Sequence, residues 1–169
     1  MFEAFLSRDM TYSAAIFDKA DATDTLEKAQ YRKLDSIIDK ACLKSSDHVL
    51  EIGCGWGSFA IRAVQKTRCQ VTSLTLSIEQ KEMAEERVAA AGVADRVHVL
   101  LCDYRALVAP PGGYDKIVSI EMIEAVGREY LQLYFSVVNR LLKHNGGVAV
   151  FQTITMPETR HETYTKSPE

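Results

Sequence analysis

The sequence predicts an α/β fold: a doubly wound, mainly parallel sheet of about five strands with helices on both faces. Three observations carry this. Short apolar runs alternate with longer segments whose apolar residues recur at helical spacing, the signature of βαβ units. A glycine-rich turn, Gly53-Cys54-Gly55-Trp56-Gly57, stands directly after the first such run and opens a helix. The length of 169 residues, 47% of them hydrophobic and 25% charged, suits one domain with a real core and no disulfide staple. Right-handed crossovers in such a sheet place the ligand crevice at the carboxyl ends of the strands.

Each element follows from its residues. In 25–43, Leu34, Ile37, Ile38, Ala41 and Cys42 share one helical face, and Asp24 with Glu27 reads as a capping box at the start. Residues 48–52 are a short apolar run, hence a strand. Trp56, Phe59, Ala60, Ala63 and Val64 give the next helix its apolar face, and 70–76 is a second strand. Ser77 and Gln80 can cap a helix that runs to about Ala91 and is closed by Gly92. A third strand spans 97–102, a Pro-Gly loop spans 109–113, and a fourth strand spans 114–120. Tyr130, Leu133, Tyr134, Val137, Val138, Leu141 and Leu142 make one stripe of a helix over 128–143, stopped by Asn145-Gly146-Gly147. A fifth strand covers 148–154, and the polar stretch 156–169 has no period.

Composition narrows the function. A net charge of -3 argues against a dedicated nucleic-acid binder. Cys42, Cys54, Cys69 and Cys102 form no C-x-x-C pair and hold no metal-ligand spacing to His48, His98, His144 or His161. No metal is expected, and the cysteines read as reduced thiols in a cytosol-like compartment. Residues 1–9 carry an early acid and no sustained apolar core, so no signal peptide is expected. No apolar run approaches the roughly 20 residues that cross a bilayer, so lipid contact would be peripheral.

The glycine turn carries the chemistry. A dinucleotide site reads G-x-G-x-x-G, whereas Gly53, Gly55 and Gly57 here run G-x-G-x-G, with Glu51 two residues before the first. That acid suits a ligand with a cationic end better than a pyrophosphate, and S-adenosylmethionine has one. The bland alternative is a tight turn alone. Thr75 and Leu76 end the second strand, where nucleotide folds hold a ribose, and Gln80 or Thr75 could meet its hydroxyls; helix capping by Ser77 and Gln80 is the alternative. After the third strand, Asp103 could accept from an adenine amino group and Tyr104 could stack on the ring, or both could be solvated loop residues.

With these residues assembled, the chain resembles the cyclopropane-fatty-acyl-phospholipid synthase family of S-adenosylmethionine-dependent methyltransferases, most closely the branch of plants and fungi. The matching stretches are Asp9-Met10-Thr11-Tyr12-Ser13, Leu50 through Gly57, Thr75-Leu76-Ser77-Ile78-Glu79-Gln80, Asp103-Tyr104-Arg105 and Ile117 through Gly127. The resemblance implies a Rossmann-like methyltransferase sheet and methyl transfer to the double bond of an unsaturated acyl chain, usually in a phospholipid. A carbocation would then lose a proton to bound bicarbonate as a cyclopropane closes. It implies that Tyr12, Ser13, Gly53, Thr75, Leu76, Gln80, Tyr104 and Ile120 contact the cofactor, beside Glu51, Gly55, Gly57 and Asp103 from the reading above. It also implies that Glu124 helps hold bicarbonate with the backbone near Ile154. Gln152 stands where the family often has His, and Ala14 where it has Cys.

The expected division is a cofactor-covering segment over 1–24, the cofactor-binding domain over 25–155 and a polar tail over 156–169. Family members continue with further strands, so an exposed apolar sheet edge, or a partner covering it, is expected. A small-molecule N-methyltransferase and a non-catalytic cofactor-binding module remain the competing readings.

Overall fold

In the computed structural model, which describes residues 6–160, five parallel strands form one sheet in the order β3-β2-β1-β4-β5. They are β1 His48–Ile52, β2 Gln70–Thr75, β3 Val97–Leu101, β4 Lys116–Ile120 and β5 Val148–Gln152. The helices are α1 Leu26–Ala41, α2 Ser58–Thr67, α3 Ile78–Ala90 and α4 Leu131–Leu141. The chain starts in the middle of the sheet, winds outward through β2 and β3, then returns to β4 beside β1. That reversal between β1 and β4 is a topological switch point, where open α/β sheets bind ligands.

Strand alternation splits the core in two. Val49, Val71, Val99 and Val118 face α1, α2 and α3, packing against Leu34, Ile38, Phe59, Val64 and Val88. Leu50, Ile52, Leu74 and Ile117 face the opposite way, against Tyr134, Val137, Val138 and Leu141 of α4. Helices therefore cover both faces, three on one and one on the other. β5 is an outer strand, and its residues are partly exposed along with Leu133 and Phe135 of α4. Cys54 and Cys69 are buried, Cys102 is half-buried, and Cys42 is exposed at the left-handed end of α1.

Several boundaries differ from expectation. The cap of α1 is Thr25, whose hydroxyl accepts from the Lys28 amide, not Asp24. Asp24 instead accepts from the Asp18 amide at 2.7 Å and from Arg32 at 2.8 Å. A carboxylate with a guanidinium in reach gains more there than from one cap amide. Trp56 precedes α2, because Gly57 adopts a left-handed φ of +85° and caps the helix after it. The helix expected over 128–143 begins as a 3-10 turn, Arg128–Tyr130, before α4. Tyr114 makes only an isolated bridge to Leu142, ahead of β4 proper. Residues 6–24 contain no helix or strand; residues 1–5 of the expected covering segment 1–24, and 161–169 of the expected tail 156–169, lie outside the described residues.

Candidate functional site

Two cavities open at the carboxyl ends of the strands and share Tyr12, Gly53 and Gly55 in their walls. The larger, about 420 Å³, is lined by Leu74, Thr75, Leu76 and Gln80 on one side and Asp103, Tyr104 and Arg105 on another. Ile52, Cys102, Met122, Ala125, Val126 and Tyr130 complete it. Its size suits a drug-sized ligand and its wall is mostly apolar with a few polar groups. The smaller, about 50 Å³, is lined by Ser13, Lys33, Glu51 and Ile120 with Met10, Thr11 and Trp56.

The turn between them is shaped by what it must let in. Gly55 sits at φ +49°, and a Cβ there would stand 3.3 Å from the Tyr12 ring. At Gly53, φ +91°, a Cβ would stand 3.2 Å from Met122 Cγ. Both positions favour glycine on backbone grounds and bring the chain edge close to the cleft. Gly57 lines neither cavity: its Cα side packs toward Ala84 of α3, where a Cβ would come within 3.2 Å. Its part is helix packing.

Thr75 Oγ1 donates to Gln80 Oε1 at 2.8 Å, and Gln80 Nε2 faces the Tyr12 hydroxyl at 3.4 Å. Ser77 also caps α3 through the Gln80 amide, so capping and cleft lining coexist. Asp103 is clasped by its neighbour: its carboxylate accepts from the Arg105 amide at 2.8 Å and from the guanidinium at 2.5 Å. The guanidinium holds that carboxyl below its ordinary range. Tyr104 meets Tyr134 edge-on, ring centres 5.3 Å apart.

Glu51 is buried on the α1 face of β1. Ser73, its register partner on β2, donates to Glu51 Oε2 at 2.5 Å. Burial pushes this carboxyl up to about 8, against the pull of Ser73 and Lys33. The acid beside the glycine turn therefore holds its proton more firmly than a free glutamate does. A cation placed beside it would ionise it.

The three residues expected to be catalytic lie outside both cavities. Glu124, in the 3-10 turn Ile123–Ala125, accepts from the Ile154 amide at 2.5 Å. Gln152 Nε2 donates to Glu121 Oε1 at 2.7 Å and to the Ala14 carbonyl at 3.2 Å. The structure thus brings Glu124 and Ile154 together, but the two donors that a bicarbonate would need already meet carboxylates. As placed, the Ile154 amide is taken by Glu124, and the Gln152 amide by Glu121 and the Ala14 carbonyl.

Two residues at the site escaped the sequence reading. Glu121, at φ +49°, accepts from the Ala14 amide at 2.8 Å as well as from Gln152. Lys33 of α1 is 1% exposed, with Nζ 2.6 Å from Ser13 Oγ. An acid at a strand end was a readable signal for Glu121. For Lys33 the signal was a lysine at the spacing of the apolar stripe, since Lys33, Ile37 and Ala41 fall on one face.

Comparison with known proteins agrees with this architecture. The chain matches the family described as Mycolic acid cyclopropane synthetase over residues 1–168. It is 46% identical over 165 residues to Tuberculostearic acid methyltransferase UfaA1 of Mycobacterium tuberculosis, covering 95% of this chain and 38% of that protein. To the Cyclopropane-fatty-acyl-phospholipid synthase of Escherichia coli it is 39% identical over 159 residues, covering 94% of this chain and 39% of the relative. To Sphingolipid C9-methyltransferase A of Emericella nidulans, a fungal relative, it is 37% identical over 143 residues, covering 84% of this chain and 28% of that protein. The crystal structure of mycolic acid cyclopropane synthase CmaA1 complexed with SAH and CTAB superposes with a TM-score of 0.84 at 33% identity, over 99% of this chain and 56% of that one. The chain thus spans well under two thirds of the length of each. The sheet order, the glycine turn after β1 and the near-complete match together place it: the chain belongs to the mycolic acid cyclopropane synthetase family.

Proposed function

We propose that the chain binds S-adenosylmethionine in the cleft at the ends of β1, β2 and β4 and is the cofactor-binding part of a methyltransferase acting on unsaturated acyl chains of phospholipids. The single observation that carries this is the cleft itself: about 420 Å³ of mostly apolar wall beside a left-handed glycine turn and a buried acid. When bound, S-adenosylmethionine supplies an electrophilic methyl group on a sulfonium. Glu51 would answer its ammonium, Thr75 and Gln80 would meet its ribose hydroxyls, and Tyr104 would offer a ring face beside Asp103. Met122, Val126 and Ile52 give the cleft an apolar wall, which would keep water from a group reacting there.

Family membership and the names of the relatives favour a lipid acceptor. No helix among the described residues is long and apolar enough to cross a membrane. Exposed Leu76 and Tyr130 at the rim of the cleft support peripheral contact with a lipid surface, at the cytoplasmic side. The test is methyl transfer from radiolabelled S-adenosylmethionine to vesicles of unsaturated phospholipid, of saturated phospholipid, and to small amines. Label in the unsaturated lipid alone is expected. Label in the amines alone replaces the lipid reading with N-methylation, and calorimetry with S-adenosylhomocysteine showing no heat at millimolar ligand removes the cofactor reading.

A further inference from the structure

A buried lysine is costly unless its amine has work to do, because the apolar faces around it could be filled by Leu or Met. Lys33 is such a residue, and the mechanism above leaves it unused. It lines the wall of the small cavity beside Leu34 and Phe59, where the helix stripe would otherwise be apolar. Three acidic side chains act on it: Glu121 from the end of β4, Asp9 from the N-terminal segment and Glu51 from β1. Burial nevertheless pulls its amine down to about 8.

Its direct partner is Ser13 Oγ at 2.6 Å. Gln30, one turn earlier on the same buried face, donates to the Ser13 carbonyl at 2.7 Å. Ser13 belongs to a strap, residues 9–14, that lies over the glycine turn and presses Tyr12 toward Gly55. The strap is tied elsewhere too: Arg87 and Ser58 hold the Asp9 carbonyl, and Glu121 holds the Ala14 amide. The Lys33–Ser13 pair joins side chain to side chain in the wall of the small cavity, as Gln80 and Tyr12 do in the wall of the larger one.

We propose that Lys33 is a positioning residue: through Ser13 it seats the strap over the glycine turn, and so sets how tightly the amino-acid end of the cofactor is held. This rests on the cofactor reading above. Trp56, the single tryptophan of the chain, lines the same small cavity as strap residues Met10 to Ser13 and reports on the strap without any ligand.

The experiment compares the wild-type chain with Lys33→Met, Ser13→Ala, the double variant and Ser13→Thr, which keeps the hydroxyl. Tryptophan emission is read without ligand, and affinity for S-adenosylhomocysteine is read by calorimetry. Lys33→Met and Ser13→Ala are each expected to red-shift Trp56 emission and weaken binding about tenfold. The double variant should be no worse than either single one, and Ser13→Thr should restore both readouts, because one shared contact is being broken. Losses that multiply in the double variant, or emission and affinity unchanged in Ser13→Ala, overturn the proposal; should Lys33→Met fail to fold, the two serine variants decide. An emission shift in a wild-type chain background that binds no S-adenosylhomocysteine at millimolar concentration keeps the hold on the strap but overturns the cofactor reading and its consequence. Binding that is intact while the strap ignores Ser13 overturns only the role of Lys33.

Discussion

The Ser73 hydroxyl donates to Glu51 Oε2 at 2.5 Å across the β1–β2 pair, where the two residues are register partners inside the core. The pair gives a carboxyl that is almost wholly buried one hydroxyl donor. Because burial raises the Glu51 pKa from 4.5 to about 8, the folded state holds its proton longer than the unfolded chain does. The sign follows. The contribution is fully present below pH 4.5 and is lost as pH rises toward 8. Glu51→Gln keeps an acceptor for Ser73 and removes the ionisation. Melting temperature should therefore be unchanged near pH 5 and higher near pH 8.5, by several degrees for a gain of about 1–3 kcal/mol. Calorimetric melting at both values checks it.

The same acid predicts a pH dependence of binding. If the cofactor ammonium ionises Glu51, binding expels a proton at pH values under about 8. Affinity for S-adenosylhomocysteine should rise roughly tenfold per unit as pH climbs toward 8 and then level off. Binding heats measured in buffers of different ionisation enthalpy should report close to one proton released at pH 7. In Glu51→Gln both the slope and the proton release should vanish while the protein is more stable. No slope in the wild-type chain removes Glu51 from the binding site.

Gly55 and Gly57 should respond differently to substitution. Gly55→Asp places a side chain at φ +49° against the Tyr12 ring and adds an anion beside Glu51. It is expected to cost about 1–2 kcal/mol of stability from backbone conformation and to weaken binding at least 100-fold. Gly57→Ala pushes on Ala84, within 3.2 Å, and should lower the melting temperature while changing affinity less than fivefold. Side-by-side melting and titration distinguishes them, and equal loss of affinity in both would put Gly57 back at the ligand.

Glu121→Ala leaves the Ala14 amide and Gln152 Nε2 without their carboxylate acceptor. The strap loses its anchor to the sheet, and S-adenosylhomocysteine affinity should fall about tenfold. Removing that side chain also relieves little of the φ of +49°, so the melting temperature should not rise. A titration of the variant at pH 8 measures the first effect, and a thermal melt the second.

Glu124→Gln keeps an oxygen for the Ile154 amide. Because Glu124 lines neither cavity, cofactor affinity should stay within twofold of wild type. A drop of tenfold or more in transfer to unsaturated lipid at that unchanged affinity is the outcome expected of a residue serving the acyl side. Parallel loss of both would make its contact with Ile154 structural.

Much of the architecture was legible because it is written in local periods. The valines of β1, β2 and β4 alternate toward α1 and α2, and the stripe of α4 recurs at helical spacing, so each element is readable within about a dozen residues. Boundaries were less legible where two local interactions compete. Asp24 and Thr25 both qualify as a cap, and Arg32, eight residues on, drew Asp24 away. Tyr12, Ser13, Gly53, Gly55, Thr75, Leu76, Gln80, Asp103, Tyr104 and Ile120 do converge on the two cavities. Outside them, Glu124 pairs with the Ile154 amide and Gln152 with Glu121.

By itself, the sequence determined the parallel α/β sheet, the left-handed turn after β1 and the acid beside it, because glycine spacing and apolar period are local constraints. Only the tertiary structure decided the charge state and the employment of that acid. Glu51 and Ser73 stand 22 positions apart, Lys33 and Ser13 stand 20 apart, and Ala14 and Glu121 stand 107 apart. A glutamate with a raised pKa, a lysine with a depressed one and a strap tied to three helices and the end of β4 are products of burial. Burial is set by which faces meet when the sheet closes, and no single segment of the chain contains that information.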